Sequence, residues 1–282
     1  MPNSRDVDLS TYDSIGPWSE KKHDIISKYA AAFATITTAH GFRLVYIDGF
    51  AGAGRAQARE TGQIVHGSPL RAIDVKPPFD ELHFVELDRR KATLLRQLAH
   101  DDPRVTVHVG DCNVVLPRDV LPRVRYSAYA RALCVLDPYG LHLDWCVVMA
   151  AAQTGATDVL VNLPVMDINM NVLRRSAAEP DRAQAARMTA FWGDESWREA
   201  LRPLSDQYTL FGDVEHGKAS NESVAEAYCH RLRDHAGFEH VAEPIEMRNS
   251  RNSVVYYLMF GSHKGVAVKV MNDVARKSKQ EG

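Results

Sequence analysis

Four acidic residues follow four successive apolar segments of the chain, and their order points to one ligand site. Asp48 follows Leu-Val-Tyr-Ile, Glu86 follows His-Phe-Val, Asp111 follows Val-His-Val-Gly, and Asp137 follows Leu-Cys-Val-Leu. Each segment has the length and composition of a buried strand. In an open parallel sheet, ligands bind outside the carboxyl ends of the strands. We therefore expect the four acids to line one crevice, which would suit a nucleoside-containing cofactor.

The first of these acids opens a glycine-rich loop. Glycine permits positive φ and lets a ligand approach the backbone without a Cβ in the way. No Gly-Lys-Ser/Thr follows, so the loop is not a phosphate-binding P-loop. A plain tight turn is one alternative. A dinucleotide site is another, because the long loop would explain why the next acid lies more than about 20 residues on. The predicted cofactor-binding residues of this loop are Asp48, Gly49, Phe50, Ala51, Gly52 and Gly54.

The next two acids fit a ribose and an adenine. Glu86, with Leu87 beside it, is the natural acceptor for the two ribose hydroxyls, and a charged hydrogen bond contributes about 1.5–3 kcal/mol. A surface ion pair with the arginines that follow is the alternative. Asp111 would contact the adenine amino group next to the backbone of Cys112, although a turn residue at the start of a loop would look the same. The series favours S-adenosylmethionine (SAM).

The segment Asp137-Pro138-Tyr139 carries the most specific chemistry. The lone pair of an exocyclic aromatic amine is delocalised into its ring. A carboxylate and a backbone carbonyl that accept the two N–H bonds make that amine more nucleophilic. Tyr139 could stack on the base, and an Asp-Pro turn without catalytic function is the alternative. The predicted catalytic residues are Asp137, Pro138 and Tyr139, and the predicted substrate contacts beside them are Gly140, His142 and Asn162.

A basic stretch before the fourth predicted strand is a second candidate contact for substrate. Its arginines alternate with Tyr126 and Tyr129, a combination that suits phosphate contacts and base stacking. A solvated loop is the alternative. The arginines expected at the substrate edge are Arg118, Arg123, Arg125 and Arg131, together with Arg174 and Arg175 after the fifth strand.

The elements that must position these residues alternate between strand and helix. Strands are predicted at 44–47, 81–87, 105–109, 132–136 and 157–162, with helices at 19–40, 91–100 and 220–235. This alternation predicts an α/β fold with a parallel, Rossmann-like sheet. Residues 166–213 are polar and predicted to be a helical insertion over the strand ends. Strands at 241–247 and 254–260 predict a closing antiparallel hairpin.

Composition sets further bounds on the chain. It has 282 residues, 45% of them hydrophobic, and a net charge of −2, which suits one globular domain. Its four cysteines form no Cys-x-x-Cys pair, so we expect neither structural zinc nor disulfides. We therefore expect the protein to be located in the reducing cytoplasm. No metal-ligand spacing is present, and no apolar run predicts a membrane span.

Several segments together resemble class I SAM-dependent methyltransferases and, more narrowly, the three-Cys-motif partner family. They are Trp18-Ser-Glu-Lys-Lys-His-Asp-Ile-Ile with Tyr29, Tyr46-Ile-Asp-Gly-Phe-Ala-Gly-Ala-Gly, Gly67-Ser-Pro-Leu, Phe84-Val-Glu, Gly110-Asp, Asp137-Pro-Tyr-Gly and Tyr256-Tyr-Leu-Met-Phe. The resemblance implies the fold, the SAM cofactor and a partner protein from a neighbouring gene. Asp-Pro-Tyr-Gly departs from the Asp/Asn-Pro-Pro-Tyr/Phe of DNA amino-methyltransferases and is similar to the motif of tRNA guanine-N2 methyltransferases.

We therefore predict a single methyltransferase domain that methylates a nitrogen, with the exocyclic amine of a nucleobase in RNA or DNA as the expected acceptor. A small-molecule methyltransferase and a non-catalytic SAM-binding subunit are the alternatives. The predicted parts are an N-terminal helical segment (1–43), a cofactor-binding core (44–164), a helical insertion or cap (165–215) and the C-terminal part of the core (216–282).

Overall fold

The computed structural model describes residues 11–173, 181–201, 207–208, 214–215 and 220–280. The strands are β1 (Asp13–Ile15), β2 (Arg43–Asp48), β3 (Arg55–Ala58), β4 (Ile64–His66), β5 (Glu81–Glu86), β6 (Val105–Val109), β7 (Ala130–Leu136), β8 (Thr157–Leu163), β9 (Gln207–Tyr208), β10 (Val214–Glu215), β11 (His240–Val241), β12 (Ile245–Arg248) and β13 (Val254–Ser262).

The α-helices alternate with these strands through the first half of the chain. They are α1 (Pro17–Ala39), α2 (Ser68–Ile73), α3 (Arg89–Leu98), α4 (Cys112–Val115), α5 (Trp145–Gln153), α6 (Val165–Asp167), α7 (Arg182–Trp192), α8 (Trp197–Ala200), α9 (Asn221–His230) and α10 (Gly265–Gln280). Proline at the start of α1 and α2 fits the first helical turn, where an N–H would have no helical partner.

The central sheet has eight strands in the order β11-β13-β8-β7-β2-β5-β6, with β12 also paired to β13. Five neighbouring strands of this sheet are mutually parallel, namely β8, β7, β2, β5 and β6. Strand β13 is antiparallel to β8 and to β12. Strands β7 and β8 are buried along their whole length, as expected for parallel strands covered on both faces. The predicted α/β fold with a parallel-rich sheet is confirmed.

The register brings the strand ends to one edge, here called the carboxyl edge. Asp48 lies opposite Phe84 of β5 and Val135 of β7, and Glu86 lies opposite Val109 of β6. From β2, the chain continues to β5 on one side, while β7 occupies the other. This reversal of strand order creates the crevice in which open α/β sheets bind ligands.

Helix α1 links the two edges of the sheet. Its residue Tyr29 donates a 2.8 Å hydrogen bond to Asp158, which lies near the start of β8. Lys22, earlier on the same helix, contacts Asp137 just after the end of β7. Helix α1 therefore runs from the carboxyl edge to the amino edge before the chain turns into β2.

The segment between the glycine loop and α2 differs from its prediction as a long irregular loop. It contains β3 and β4, which form a small sheet with β1 in the order β1-β3-β4. Lys91 of α3 donates to both oxygens of Asp13 on β1 at 2.7 Å. Gly67 occupies the N-cap position of α2, and the Ser68 hydroxyl donates to Asp48 at 2.6 Å.

The described part of the predicted insertion is helical from α6 through α8, but it also contains β9 and β10, which pair antiparallel and correct the prediction of a wholly helical segment. Phe191 and Trp192 of α7 are buried against Tyr228 of α9, with ring centroids 5.5 and 5.9 Å apart. Arg231, the residue after α9, ion-pairs with Asp194 at 2.9 Å. These contacts attach this helical part to the C-terminal part of the core.

Candidate active site

A cleft of about 720 Å³ opens at the carboxyl edge. Its walls come from the glycine loop, from the ends of β5, β6, β7 and β8, from the small sheet and from the first turns of α1. Fifteen of the residues predicted from the sequence line it, namely Gly49, Phe50, Ala51, Gly52, Gly54, Glu86, Leu87, Asp111, Cys112, Asp137, Pro138, Tyr139, Gly140, His142 and Asn162.

The structure corrects the prediction that Asp48 contacts the cofactor, because the Asp48 side chain lies beneath the cleft and does not line it. The residue is fully buried. Its carboxylate accepts hydrogen bonds from the Phe50 amide at 3.1 Å and the Ser68 hydroxyl at 2.6 Å. Burial raises the pKa of Asp48 to about 6, against the effect of these two hydrogen bonds. Asp48 therefore holds the shape of the glycine loop instead of contacting a ligand.

Two glycines give the loop its path. Gly52 and Gly54 have φ of +63° and +79°, a region that side chains with a Cβ rarely occupy. The Gly52 amide donates a 2.8 Å hydrogen bond to Glu86 across the cleft floor. A Cβ at Gly54 would lie 2.8 Å from the Leu95 side chain. The loop thus lies against α3 with its backbone exposed to the cleft.

Glu86 is held by backbone amides and not by the arginines that follow it. One carboxylate oxygen accepts from Gly52 and the other from the amide of Asp88 at 2.7 Å. Asp88 in turn caps α3 by accepting from the amides of Arg90 and Lys91. Each carboxylate oxygen can accept more than one hydrogen bond, so Glu86 retains acceptor capacity toward the cleft.

The third acid, Asp111, is the N-cap of α4 and accepts from the Asn113 amide at 2.9 Å. The Asn113 side chain then bridges to the next loop, donating to the His142 carbonyl at 3.1 Å and accepting from the Asp144 amide at 2.8 Å. Cys112 is buried beside it, and burial raises the pKa of its thiol. This bonding fixes the loops after β6 and β7 relative to each other.

Both oxygens of Asp137 have partners. Asn162 of β8 donates to Oδ1 at 2.8 Å, and the Lys22 ammonium donates to Oδ2. Only 6% of the Lys22 side chain is exposed, against 27% of Asp137. Burial lowers the pKa of Lys22, but Asp137, Tyr256 and Asp48 together act more strongly in the opposite direction, so the net shift of the pKa is upward. The Lys22 ammonium also lies 5.2 Å from the ring centre of Tyr256 on β13.

Lys22, His23 and Tyr256 line the cleft and were absent from the predicted site residues. No local pattern marks them as functional. They do belong to two of the segments that resemble the three-Cys-motif partner family, namely the one that begins at Trp18 and the one that begins at Tyr256. That resemblance was the available signal.

Two buried polar atoms in the cleft have no hydrogen-bond partner among the described residues: His23 Nδ1 and Asn162 Oδ1. Burial, followed by the neighbouring Lys22 charge, lowers the pKa of His23 to about 3, so its ring is neutral near pH 7. Buried polar groups are nearly always paired. Both atoms are buried behind the cleft wall, so neither is exposed to a ligand in this structure.

Tyr139 stands at the rim of the cleft with 76% of its surface exposed. Gly140 follows with φ of +54°, and a Cβ there would lie 3.0 Å from an Asp167 carboxylate oxygen. Glycine is therefore required at this position for the turn that brings Tyr139 to the rim. His142 is exposed on the same loop.

The predicted arginine edge is wrong for the basic stretch before β7. This stretch leads into the amino end of β7, whereas Asp137 follows its carboxyl end. Arg125 bonds the Pro122 carbonyl at 3.0 Å, and the Arg123 carbonyl accepts from Arg43 at 3.3 Å. Arg131 is buried and pairs with Asp158 at 3.0 Å.

A parallel connection has to return to the amino edge before the next strand begins, which separates this stretch from the cleft. Among the arginines predicted to contact substrate, those that do not line the cleft are Arg118, Arg123, Arg125 and Arg131. Arg174 and Arg175 lie outside the described residues.

Within the described ranges, no group of three or more His, Cys, Asp or Glu side chains is placed to hold a metal ion. No helix in the described part of the chain has both the length and the apolar character needed to span a bilayer.

No family model and no curated protein matches the chain. Among solved structures, the methyltransferase domain of bacterial CtHen1 has a TM-score of 0.41 at 11% identity, over 84% of this chain and 98% of that one. The N-terminal domain of EvdMO1, solved with S-adenosylhomocysteine (SAH) bound, has a TM-score of 0.39 at 11% identity, over 84% and 80%.

Protein LPL1258 from Legionella pneumophila has a TM-score of 0.39 at 17% identity, over 62% of this chain and 75% of that one. Methyltransferases are thus among the solved structures to which the chain is similar. Similarity at this level assigns no function, so the function rests on the geometry of the cleft.

Proposed function

We propose that this protein is a SAM-dependent N-methyltransferase that acts on the exocyclic amine of a nucleobase. One observation carries the proposal: Asp137 and Asn162 face the same cleft as the glycine loop and Glu86. A cofactor half and an acceptor half therefore meet at the carboxyl edge.

The residues present fit SAM. The cleft of about 720 Å³ lies within the usual range of about 300–1,000 Å³ for small-ligand sites. Glu86 would accept the ribose hydroxyls, Asp111 and the Cys112 backbone would contact the adenine, and the loop around Gly52 would hold the methionine end. When bound, SAM supplies a methyl group that its sulfonium already activates, so the protein's task is alignment.

The acceptor half suits an amine with hydrogens to donate. Asp137 and the Pro138 carbonyl would accept N–H bonds, and Asn162 would hold Asp137 in place through the hydrogen bond that it donates to Oδ1. The amine lone pair would form the N–CH₃ bond as the bond between that carbon and sulfur breaks, and the displaced amine proton would leave to water. Tyr139 at the rim would stack on the base, which contributes about 1–3 kcal/mol per base.

Membership of the three-Cys-motif partner family, a partner protein from a neighbouring gene and a cytoplasmic location are part of this proposal. The motifs that begin at Trp18 and Tyr256 support the first, since both place residues in the cleft, and the second is what the family resemblance implies. The four unpaired cysteines support the third.

A small-molecule acceptor is the second candidate, and one observation favours it. The arginines before β7 do not line the cleft, so they do not form the phosphate-binding edge that was expected of them. The net charge of −2 also provides no general attraction to nucleic acid.

The test has two stages. Calorimetry with SAM, SAH and NAD identifies the cofactor, and tight NAD binding without SAM binding would refute the proposal. Mass spectrometry of nucleosides and metabolites from deletion and wild-type cells then identifies the acceptor. We expect one methylated nucleoside to be absent from the deletion strain. A missing methylated metabolite with unchanged nucleosides would establish the second candidate instead.

A further inference from the structure

A second cavity, of about 250 Å³, lies at the opposite edge of the sheet. It is here called the amino-end pocket, because Arg131 and Asp158 at its buried end are each the second residue of a parallel strand, β7 and β8 respectively. Helices α1 and α10 form its sides. None of the described residues that line it also lines the cleft, so the pocket is a separate site. Its principal side chains are Tyr29, Phe33, Phe42, Tyr126, Arg131 and Lys264.

The walls of the amino-end pocket are largely aromatic. Tyr29 and Phe33 are buried on α1, and Phe42 packs against Tyr126 with the ring centroids 5.3 Å apart. Two large apolar side chains of the lining stay half exposed, Tyr126 at 50% and Val266 of α10 at 53%. Apolar surface that stays exposed around a concave site is typical of ligand-binding grooves. Because a cavity of about 150 Å³ holds benzene, this pocket has room for one aromatic ring and a small polar group.

The buried end of the pocket has hydrogen-bond donors to spare. Asp158 accepts from the Tyr29 hydroxyl at 2.8 Å, from Ser262 at 2.6 Å and from Arg131 at 3.0 Å. A guanidinium has five N–H donors, and among the described residues the one acceptor that bonds the Arg131 guanidinium is Asp158. Arg131 is only 7% exposed. Its remaining nitrogens are not fully buried and the residue lines the pocket, so these donors are open to the pocket.

The charges of the amino-end pocket do not balance. Asp158 is the one acid among the described residues that line it, whereas Arg131 and Lys264 are both cations. Lys264 is exposed and has no acidic partner in the described part of the chain. Its ammonium lies 5.3 Å from the ring centre of Tyr126. The pocket therefore combines aromatic walls with a net positive charge, which complements an anion that has an aromatic body.

We propose that the amino-end pocket is a second ligand site and that it binds a small aromatic carboxylate. The ring would pack against Phe42 and Tyr126, where aromatic pairs gain from offset or edge-to-face contact. The carboxylate would accept hydrogen bonds from Arg131, whose planar fork matches a carboxylate, and would balance the excess charge. The volume of about 250 Å³ lies below the usual range of about 300–1,000 Å³ for small-ligand sites, which favours a ligand smaller than a nucleotide. This inference goes beyond the proposed function and does not depend on it.

The experiment follows the ¹⁹F NMR signal of 4-fluorobenzoate, which broadens when the probe binds the full-length protein. The neutral isostere 4-fluorobenzamide tests whether the charge matters. A ligand of this size should bind with a dissociation constant on the order of 1 mM, and the amide should bind at least about tenfold more weakly, because it lacks the charged hydrogen bonds to Arg131.

Three variants locate the probe. Val270 lines the pocket and is partly buried on α10, so Val270→Phe fills the space and should abolish broadening. Lys264→Glu reverses the charge of an exposed lining residue and should weaken binding several-fold, on the scale of exposed ion pairs. Lys269 is exposed on the same helix but does not line the pocket. Lys269→Glu is therefore the matched control and should bind the probe like the wild-type protein. Thermal unfolding confirms that each variant is folded.

Several results would overturn the proposal. No broadening with the wild-type protein, or broadening that survives Val270→Phe, would mean that the probe does not occupy this pocket. Equal binding of the amide would show that the pocket does not select a carboxylate. If Val270→Phe does not fold, Lys264→Glu and Lys269→Glu decide, and equal affinity in these two variants would refute the assignment. Displacement of the probe by uridine 5′-monophosphate at a lower concentration than by benzoate would assign the pocket to nucleotides instead. None of these measurements requires methylation, so their outcome is independent of the proposed function.

Discussion

The change Asp48→Asn should stabilise the protein at neutral pH, although it removes a carboxylate from beneath the proposed cofactor site. Asp48 is fully buried. Burial, and secondarily the nearby Asp137 carboxylate, raises the pKa of Asp48 from 3.8 to about 6. Hydrogen bonds from Ser68 and Phe50 and the Lys22 charge act in the opposite direction. Asparagine has nearly the same shape, and its amide can accept from Phe50 and donate to Ser68.

The magnitude follows from the linkage between protonation and folding. An acid whose pKa is raised on folding holds its proton more tightly in the folded than in the unfolded chain. Its ionisation therefore destabilises the fold as pH rises from 3.8 to about 6. At 1.36 kcal/mol per pH unit, this amounts to about 3 kcal/mol at pH 7 and above. The Asn variant avoids that loss and should be more stable than wild type by up to about 3 kcal/mol at pH 8.

Urea denaturation at pH 8, 6 and 4 measures this difference. We expect the gap between Asp48→Asn and wild type to shrink steadily as pH falls and to vanish near pH 4. Asp101→Asn, at an acid whose side chain is 87% exposed, controls for the loss of one negative charge. An Asn variant that is less stable than wild type at pH 8, or a gap independent of pH, would refute the reasoning.

Three further outcomes are expected. Glu86→Ala should weaken SAH binding in calorimetry by one to a few kcal/mol, on the scale of a charged hydrogen bond, and unchanged affinity would contradict the ribose assignment. Tyr139→Ala should raise KM for a nucleic-acid acceptor, by the factor that corresponds to a loss of about 1–3 kcal/mol of stacking energy. The affinity for SAH should not change. Arg55 of β3 and Arg59 just after that strand line the cleft, so the double change Arg55→Glu and Arg59→Glu should abolish most salt-dependent RNA binding. Arg125→Glu should not, and the reverse ranking in filter binding would return the basic stretch to the site.

The strands of the central sheet could be predicted from the sequence because each reads as a short apolar run ending at an acid. The prediction 105–109 agrees with β6, and 157–162 agrees with β8 except for one residue. A parallel sheet then places consecutive strand ends together. That rule alone brought Glu86, Asp111 and Asp137 to one cleft without any knowledge of the tertiary contacts.

The rest of the site depends on contacts that local sequence does not encode. Lys22 meets Asp137 across 115 positions of the chain. Its helix reads as an ordinary amphipathic one, in which a lysine normally faces solvent. The small sheet was missed because β1, β3 and β4 have three or four residues each, too short for a periodic signal. Asp48 was misplaced because a strand-end acid can point into the cleft or under it.

The error over the basic stretch has a different origin. The alternating arginines and tyrosines lie close to Asp137 in the sequence, and we therefore expected them to lie on the same surface as Asp137. Residues that are close in sequence can still be far apart in space when a central strand lies between them. Strand β7 has seven residues and, at about 3.3 Å per residue, separates the stretch from Asp137 by about 20 Å. Residues after a parallel strand and residues before it belong to opposite edges of the sheet, whatever their composition.

The distribution of charge in the cleft bears on which acceptors it can take. The acidic side chains of the cleft are nearly balanced by basic ones: Asp13, Glu86, Asp111, Asp137 and Asp167 stand against Lys22, Arg55, Arg59 and Lys91. In the acceptor half, Lys22 balances Asp137, and His23 is neutral because burial and Lys22 lower its pKa to about 3. A protonated alkylamine would therefore gain little attraction there, and it would lack the lone pair that methylation requires. A neutral aromatic amine has no such charge to place in the cleft, which supports the proposed nucleobase over an aliphatic amine as the substrate.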